Sequence, residues 1–287
     1  IHACLKQAGI PALQGSSEID FRIKDMEEIS YFTARLRETA HEREIPVDLW
    51  SGLRNEIIKI YSKAKHVDQA LVIIDRFRET YNHLFYREWL NYILEMHIND
   101  FSAADSGITV STIHRAKGRE YNTVYIMAPD YDITTDENLR LLYVAVTRAK
   151  RNLYIFSNSG FFESLADEQS FIIKDDVQYN EPGNVSVHLN YKMVNLGFFK
   201  NDRIMKTLGS VHSGTPLEYK ESDQTFYAQE RHACLMSKDG RKELDSWLDK
   251  GFRVKEAEVE YMVNWYCKDD DKTYPVVLPK VNLEKDK

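Results

Sequence analysis

The stretch STIHRAKGREYNTVYIM, residues 111–127, sets a histidine, two arginines, a lysine and a glutamate into a short segment beside apolar runs. GITVSTI (107–113) precedes its charged part and NTVYIMAP (122–129) follows it. Continuous β-branched apolar runs suit strands covered on both faces, as in a parallel sheet. TTDENLRLLYVAVTRAK (134–150) then predicts a helix, with Thr134 and Glu137 at capping-box spacing, and NLYIFSN (152–158) predicts a third strand. The order strand, turn, strand, helix, strand is that of an α/β core.

Outward from this core the texture changes in both directions. IHACLKQAGIPALQG (1–15) reads as a helix end stopped by Gly9, then a short strand near Ile10-Pro11. FRIKDMEEISYFTARLRETA (21–40) predicts a helix with Met26, Ile29, Phe32 or Tyr31, and Leu36 at helical spacing. Residues 47–99 read as helical almost throughout. One face carries Leu53, Ile57, Ile60 and Tyr61, a second Leu71, Ile74, Phe77 and Tyr81, and a third Trp89, Tyr92 and Ile93. Such aromatic stripes mark core rather than a cofactor site.

On the C-terminal side, Pro182-Gly183 sits in a polar stretch that reads as a linker. Short alternating runs follow: VSVHLNY, PLEYK, TFYAQ, EVEYMVNWY and YPVVLP, interrupted by one helix, RKELDSWLDKGF, closed by Gly251. These predict a small β-rich domain, a partly open barrel.

Composition narrows the class. The chain has 287 residues, 43% hydrophobic and 12% aromatic, with no apolar run of membrane-spanning length. Cys4, Cys234 and Cys267 are far apart and odd in number, which argues against a disulfide framework or clustered zinc site and fits a reducing cytoplasm. Asn184-Val185-Ser186 matches a glycosylation pattern and is expected to be a chance match. The first residue is isoleucine, and an excised piece of a longer chain is the expectation. The formal net charge is −7, yet residues 108–157 carry 7 lysines and arginines against 5 acids, so this segment alone is positive. Mild positive charge is weak evidence for an anionic ligand, since a solvated helix face gives the same count.

VSTIHRAKGREYNTVYIM resembles motif V of the UvrD, Rep and PcrA type of superfamily 1 DNA helicases, and NLRLLYVAVTRAKRNLYIF resembles their motif VI. Thr112, His114, Lys117, Gly118, Glu120 and Tyr121 fill the first pattern; Tyr143, Val144, Thr147, Arg148 and Ala149 fill the second. Eleven matches in order make the resemblance specific. A weaker likeness at LKQAGIP and the following acidic helix extends it to residues 1–40. The fold it implies is α/β: a RecA-like, P-loop NTPase-type parallel sheet domain (1–158), a reduced helical insert at 41–105, a linker at 159–184, and a β-rich accessory domain at 185–287.

The resemblance implies site residues too. Arg148 is the candidate catalytic residue, an arginine finger that stabilises charge on a transferring γ-phosphate by its permanent charge and planar fork. On a helix, Arg140, Val144, Thr147 and Arg148 would form one polar face, apart from Leu141, Leu142, Ala145 and Ala149. The alternative is that Arg148 caps the helix end. Glu120 would accept hydrogen bonds from a ribose hydroxyl, and Gly118 would let the backbone approach the nucleotide or is an ordinary turn glycine. Thr112 and His114 would contact phosphates of single-stranded DNA, with Arg115 and Lys117 adding salt-dependent attraction. Tyr143 would stack or pack.

The chain has no G-x-x-x-x-G-K-[ST]; GSVHSGTP at Gly209 lacks the lysine. It therefore carries half of an ATP site. ATP and Mg2+ are expected only with an upstream RecA-like domain 1A, and the fragment alone is expected to be inactive. Single-stranded DNA is the expected ligand, and translocation from 3′ to 5′ is the polarity the resemblance implies. The acidic tail faintly resembles HIRAN-type or Tudor-like modules and suits a protein partner as well as DNA. Two rival readings are a helicase-nuclease subunit of the RecB or AddA kind and a non-catalytic binding module on a helicase fold. No membrane role is expected.

Overall fold

A computed structural model gives the structure of the chain and describes residues 12–14, 21–40, 44–96, 108–113, 116, 119–174 and 182–285. A 3-10 turn, Ile23–Asp25, leads into helix α1, Glu27–Ala40. Met26, Ile29, Phe32 and Leu36, spaced three, three and four apart, are all fully buried, so the helical stripe read from sequence is the packing face. Helices α2 (Val47–Ile60), α3 (Val67–Thr80) and α4 (Tyr86–Glu95) follow. Their inward aromatics converge: Trp50 lies 4.8 Å from Phe32 edge-on, 5.3 Å from Phe77 in a stack and 5.5 Å from Trp89 edge-on. Trp89 Nε1 donates to Thr33 Oγ1 at 2.9 Å, which satisfies the indole. A fork between Arg54 and Asp75, at 2.6 and 2.7 Å, ties α2 to α3. Ile60, expected on the buried face, is 40% exposed, because α2 ends there and Tyr61 takes the inward position.

The C-terminal half is a six-stranded antiparallel sheet in the order β5-β10-β9-β6-β7-β8. Its strands are β5 (Asn184–His188), β6 (Pro216–Lys220), β7 (Thr225–Ala228), β8 (Arg231–Leu235), β9 (Phe252–Cys267) and β10 (Lys272–Lys285). Two prolines in β10 fit because of where they fall. Pro279 sits at a register shift, and Pro275 lies beyond the Lys280–Glu284 segment that pairs with β5. Helix α6 (Asp202–Leu208) precedes β6. Helix α7 (Lys238–Leu248) follows β8 and starts three residues earlier than the sequence pattern, with Ser237 accepting from Gly240 N.

This sheet is not packed alone. One buried core runs without a break from Ile23 through Ile93 and on through Val187 to Leu283. The start of α1 seats on β9, where Met26 bridges Val263.

The α/β segment is separate and thin. Strands β1 (Ala12–Gln14) and β2 (Ile108–Val110) pair in parallel, and β3 (Tyr121–Met127) pairs in parallel with β4 (Ala149–Phe156). Between β3 and β4 runs helix α5, Asp136–Val146. Parallel pairing is as expected, but the single RecA-like sheet is not formed among the described residues. There are two two-stranded sheets instead, and β1 and β2 are only three residues long, too short for many ladder bonds. Among the described residues no helix is long and apolar enough to cross a membrane.

Candidate functional site

Helix α5 begins one residue later than its capping box suggested. Thr135, not Thr134, is the N-cap and accepts from Asn138 N at 3.2 Å, while Thr134 is held by Asp132 at 2.8 Å from its backbone N and 2.6 Å from its hydroxyl. Asp136 and Glu137 occupy the first turn, where negative charge suits the helix dipole. Leu142 and Ala145 face inward, and Tyr143 is 69% exposed.

The helix also ends sooner than expected. Val146 is its last residue and Thr147 the C-cap, so Thr147 and Arg148 do not continue one helical face with Arg140 and Val144. The reason is the strand that follows: Ala149 pairs with Tyr121, and the Arg148 carbonyl accepts from Tyr121 N at 2.8 Å. Arg148 is pinned at the corner where α5 turns into β4.

Its side chain folds back over that corner. Nε donates to the Val144 carbonyl at 2.9 Å, Nη1 to the Arg119 carbonyl at 3.1 Å and Nη2 to Thr147 Oγ1 at 3.2 Å. The first of these is the helix-end cap foreseen as the alternative role. All three acceptors are neutral, and among the described residues no carboxylate pairs with Arg148, so its charge is oriented but not neutralised. Glu120 follows Arg119 directly, is exposed, and has Lys150 Nζ 3.4 Å from its Oε2. The structure thus brings Glu120 and Arg148 to one end of the β3–β4 pair. Lys150 was passed over in the sequence; its place one residue past the Thr-Arg-Ala run was the available signal, but the ion pair exists only through the parallel pairing.

Thr112 lies just past β2 and is exposed; its carbonyl accepts from Ala116 N at 3.2 Å, closing a turn. His114, Arg115, Lys117 and Gly118 lie outside the described residues. Among the described residues no group of three His, Cys, Asp or Glu is placed to hold a metal ion.

The opposite face of the β3–β4 pair is open. Tyr125 stacks on Tyr154 at 4.8 Å, Phe156 lies 6.5 Å from Tyr125, and these three with Met127 are between 48% and 59% exposed.

Comparison with known proteins finds DNA helicases among the relatives of this chain. Residues 107–156 match the family of UvrD-like helicase C-terminal domains. The Bacillus subtilis protein YjcD, provisionally named an ATP-dependent DNA helicase, is 36% identical over 81 residues, 21% of this chain and 11% of YjcD. Gabija protein GajB of Bacillus cereus is 33% identical over 138 residues, 44% of this chain and 28% of GajB. ATP-dependent DNA helicase PcrA of Staphylococcus epidermidis is 28% identical over 118 residues, 36% of this chain and 16% of PcrA. The matched region spans less than a third of each of these relatives. No solved structure matches the chain.

Proposed function

We propose, from the premise that residues 107–156 are a UvrD-like helicase C-terminal domain, that this chain supplies one wall of the ATP site and part of the DNA track of an ATP-dependent DNA helicase. The observation that carries the reading is Arg148, a guanidinium held by three neutral oxygens, uncompensated by any described carboxylate, and set beside Glu120.

Bound ATP would supply a γ-phosphoryl group that gathers negative charge as it transfers. Arg148 would swing from the Val144 and Arg119 carbonyls to that charge, a change costing only hydrogen bonds to neutral acceptors. Glu120 would take the ribose hydroxyls, exchanging its exposed pairing with Lys150, a contact worth little in water. Gly118 would give the backbone its close approach. Thr112, His114, Arg115 and Lys117 would bind phosphates of single-stranded DNA. Residues 108–158 would belong to the motor lobe, with α1 to α4 and the C-terminal sheet, which share one core, attached to it. The ligands of Mg2+ and the phosphate-binding loop are assigned to an upstream lobe.

The test is Arg148→Ala in a chain that also carries the upstream lobe. DNA-stimulated ATP turnover should fall by about three orders of magnitude, with affinity for single-stranded DNA unchanged. Turnover equal to that of the parent would leave Arg148 as a helix cap and nothing more.

A further inference from the structure

Where the helical layer meets the six-stranded sheet, chain segments far apart in sequence place an unusual number of ionisable groups in a buried seam. One end is a clamp. Lys65 Nζ lies 2.8 Å from both Glu258 Oε1 and Glu260 Oε2, and Lys65 N donates to the Ser213 carbonyl at 2.9 Å. The His66 ring lies flat on Tyr261, centroids 4.2 Å apart, with Nε2 3.8 Å from Glu260 Oε1. Gly214, at φ +85°, passes so close that a Cβ there would meet Lys65 Cβ at 3.1 Å.

The other end is different. Glu28, in the first turn of α1, is 2% exposed, and among the described residues the donor to its carboxyl is its own backbone N–H. Glu27 stands beside it, and His212 Nδ1 is 3.6 Å from Glu27 Oε2, close enough for an ion pair but too far for a hydrogen bond. The phenols of Tyr61 at the end of α2 and Tyr261 on β9 are pushed up by burial first and by the charge of Glu28 as well, so both stay neutral. Glu28 therefore meets one carboxylate, two neutral phenols and a single imidazole already engaged by Glu27. Among the described residues no cation stands there for Glu28 alone; the imidazole it shares with Glu27 is what opposes a second negative charge.

We propose that Glu28, with the Glu27–His212 pair beside it, is a proton-operated latch between α1 and β9. With Glu28 neutral the helical layer seats on the sheet; with Glu28 ionised the seam opens at that end while the Lys65 clamp holds the other.

The direction of the pH response follows from the groups themselves. Burial, reinforced by Glu27 and opposed by the backbone N–H and by His212, pushes the Glu28 carboxyl up to about 7. The seated state then holds a proton that the opened state gives up. Its stability is full at pH values below the ordinary carboxylate range and is lost as pH rises towards and through about 7. Glu27 raises His212 above the ordinary histidine value against the pull of burial, so its contribution is also lost as pH rises. His66 acts oppositely: burial lowers it, so the seam weakens when acid protonates it below the ordinary histidine range. The latch is tightest in mild acid.

The test is hydrogen exchange on the whole chain, corrected for intrinsic rates, following peptides from α1 and from residues 257–263. Protection of both should fall together by about tenfold between about pH 6 and about pH 8, with β3 showing no matching fall. Glu28→Gln should remove most of that fall, leaving only the part that His212 contributes. An equal fall in Glu28→Gln, or flat protection in the parent chain, overturns the latch. Should Glu28→Gln fail to fold, a carbon-13 titration of the Glu28 carboxyl in the parent chain decides: a midpoint near 7 supports the latch, and one in the ordinary carboxylate range rejects it.

Discussion

The segment with the most legible chemistry has the least core. In residues 108–158, Ile126, Ala128, Leu142 and Ala145 are the buried hydrophobics among the described residues, while Tyr125, Tyr154 and Phe156 stand open on the other face. Across 21–96 and 182–285, where no motif of comparable strength was found, Trp50, Trp89, Phe32, Phe77, Phe199 and Phe226 are all fully buried in one cluster. Motif residues must stay reachable by ligand, so they are drawn from corners and strand ends, which bury little. The helical layer and the sheet have no such constraint and supply most of the apolar burial. Identity and stability reside in different parts of this chain.

The contrast is sharpened first by Trp50→Ala. That indole touches Phe32, Phe77 and Trp89, so its removal leaves an aromatic-sized void, and the expected loss is about 3–5 kcal/mol in denaturant titration. A cost below about 1 kcal/mol would mean that the shared core is not where stability lies. Gly240→Ala comes next. Alanine is the better helix former, yet a Cβ at Gly240 would run into the Met193 carbonyl oxygen, which is backbone and has little room to give. A loss of about 1–3 kcal/mol is expected, measured as a lower thermal midpoint; a gain would show that α7 stands off the chain beneath it. The smallest effect should come from Tyr154→Ala on the open face, a change within about 1 kcal/mol. A larger loss there would break the comparison, because it would mean that this face is covered and contributes core.

How far the sequence could be read depended on the range of the interaction. Helix α1 was legible because Met26, Ile29, Phe32 and Leu36 repeat on a period the backbone itself imposes, and all four are buried. Strand β8 was missed, since RHACL carries no clear alternation, and α6 was missed because seven residues are too few for a periodic signal. At the site, the identity of Arg148 and Glu120 as candidates came from local pattern. Their meeting at one corner, and the Lys150 partner of Glu120, came from the parallel register of β3 and β4, which no local spacing specifies. The helix end was misplaced for the same reason: Ala149 is recruited by Tyr121, a residue outside the helix's own sequence.

The sequence by itself determined the α/β order, the buried stripes of α1 to α4 and the motif residues, because each is written in contacts a few positions apart. Only the tertiary structure decided that the helical layer shares a core with the C-terminal sheet, that Arg148 bends back over its helix end, and that Glu28 is buried. Lys65 meets Glu258 and Glu260 across nearly two hundred residues. Burial and charge compensation at that range depend on which surfaces fold against each other, and the local pattern carries no record of that choice.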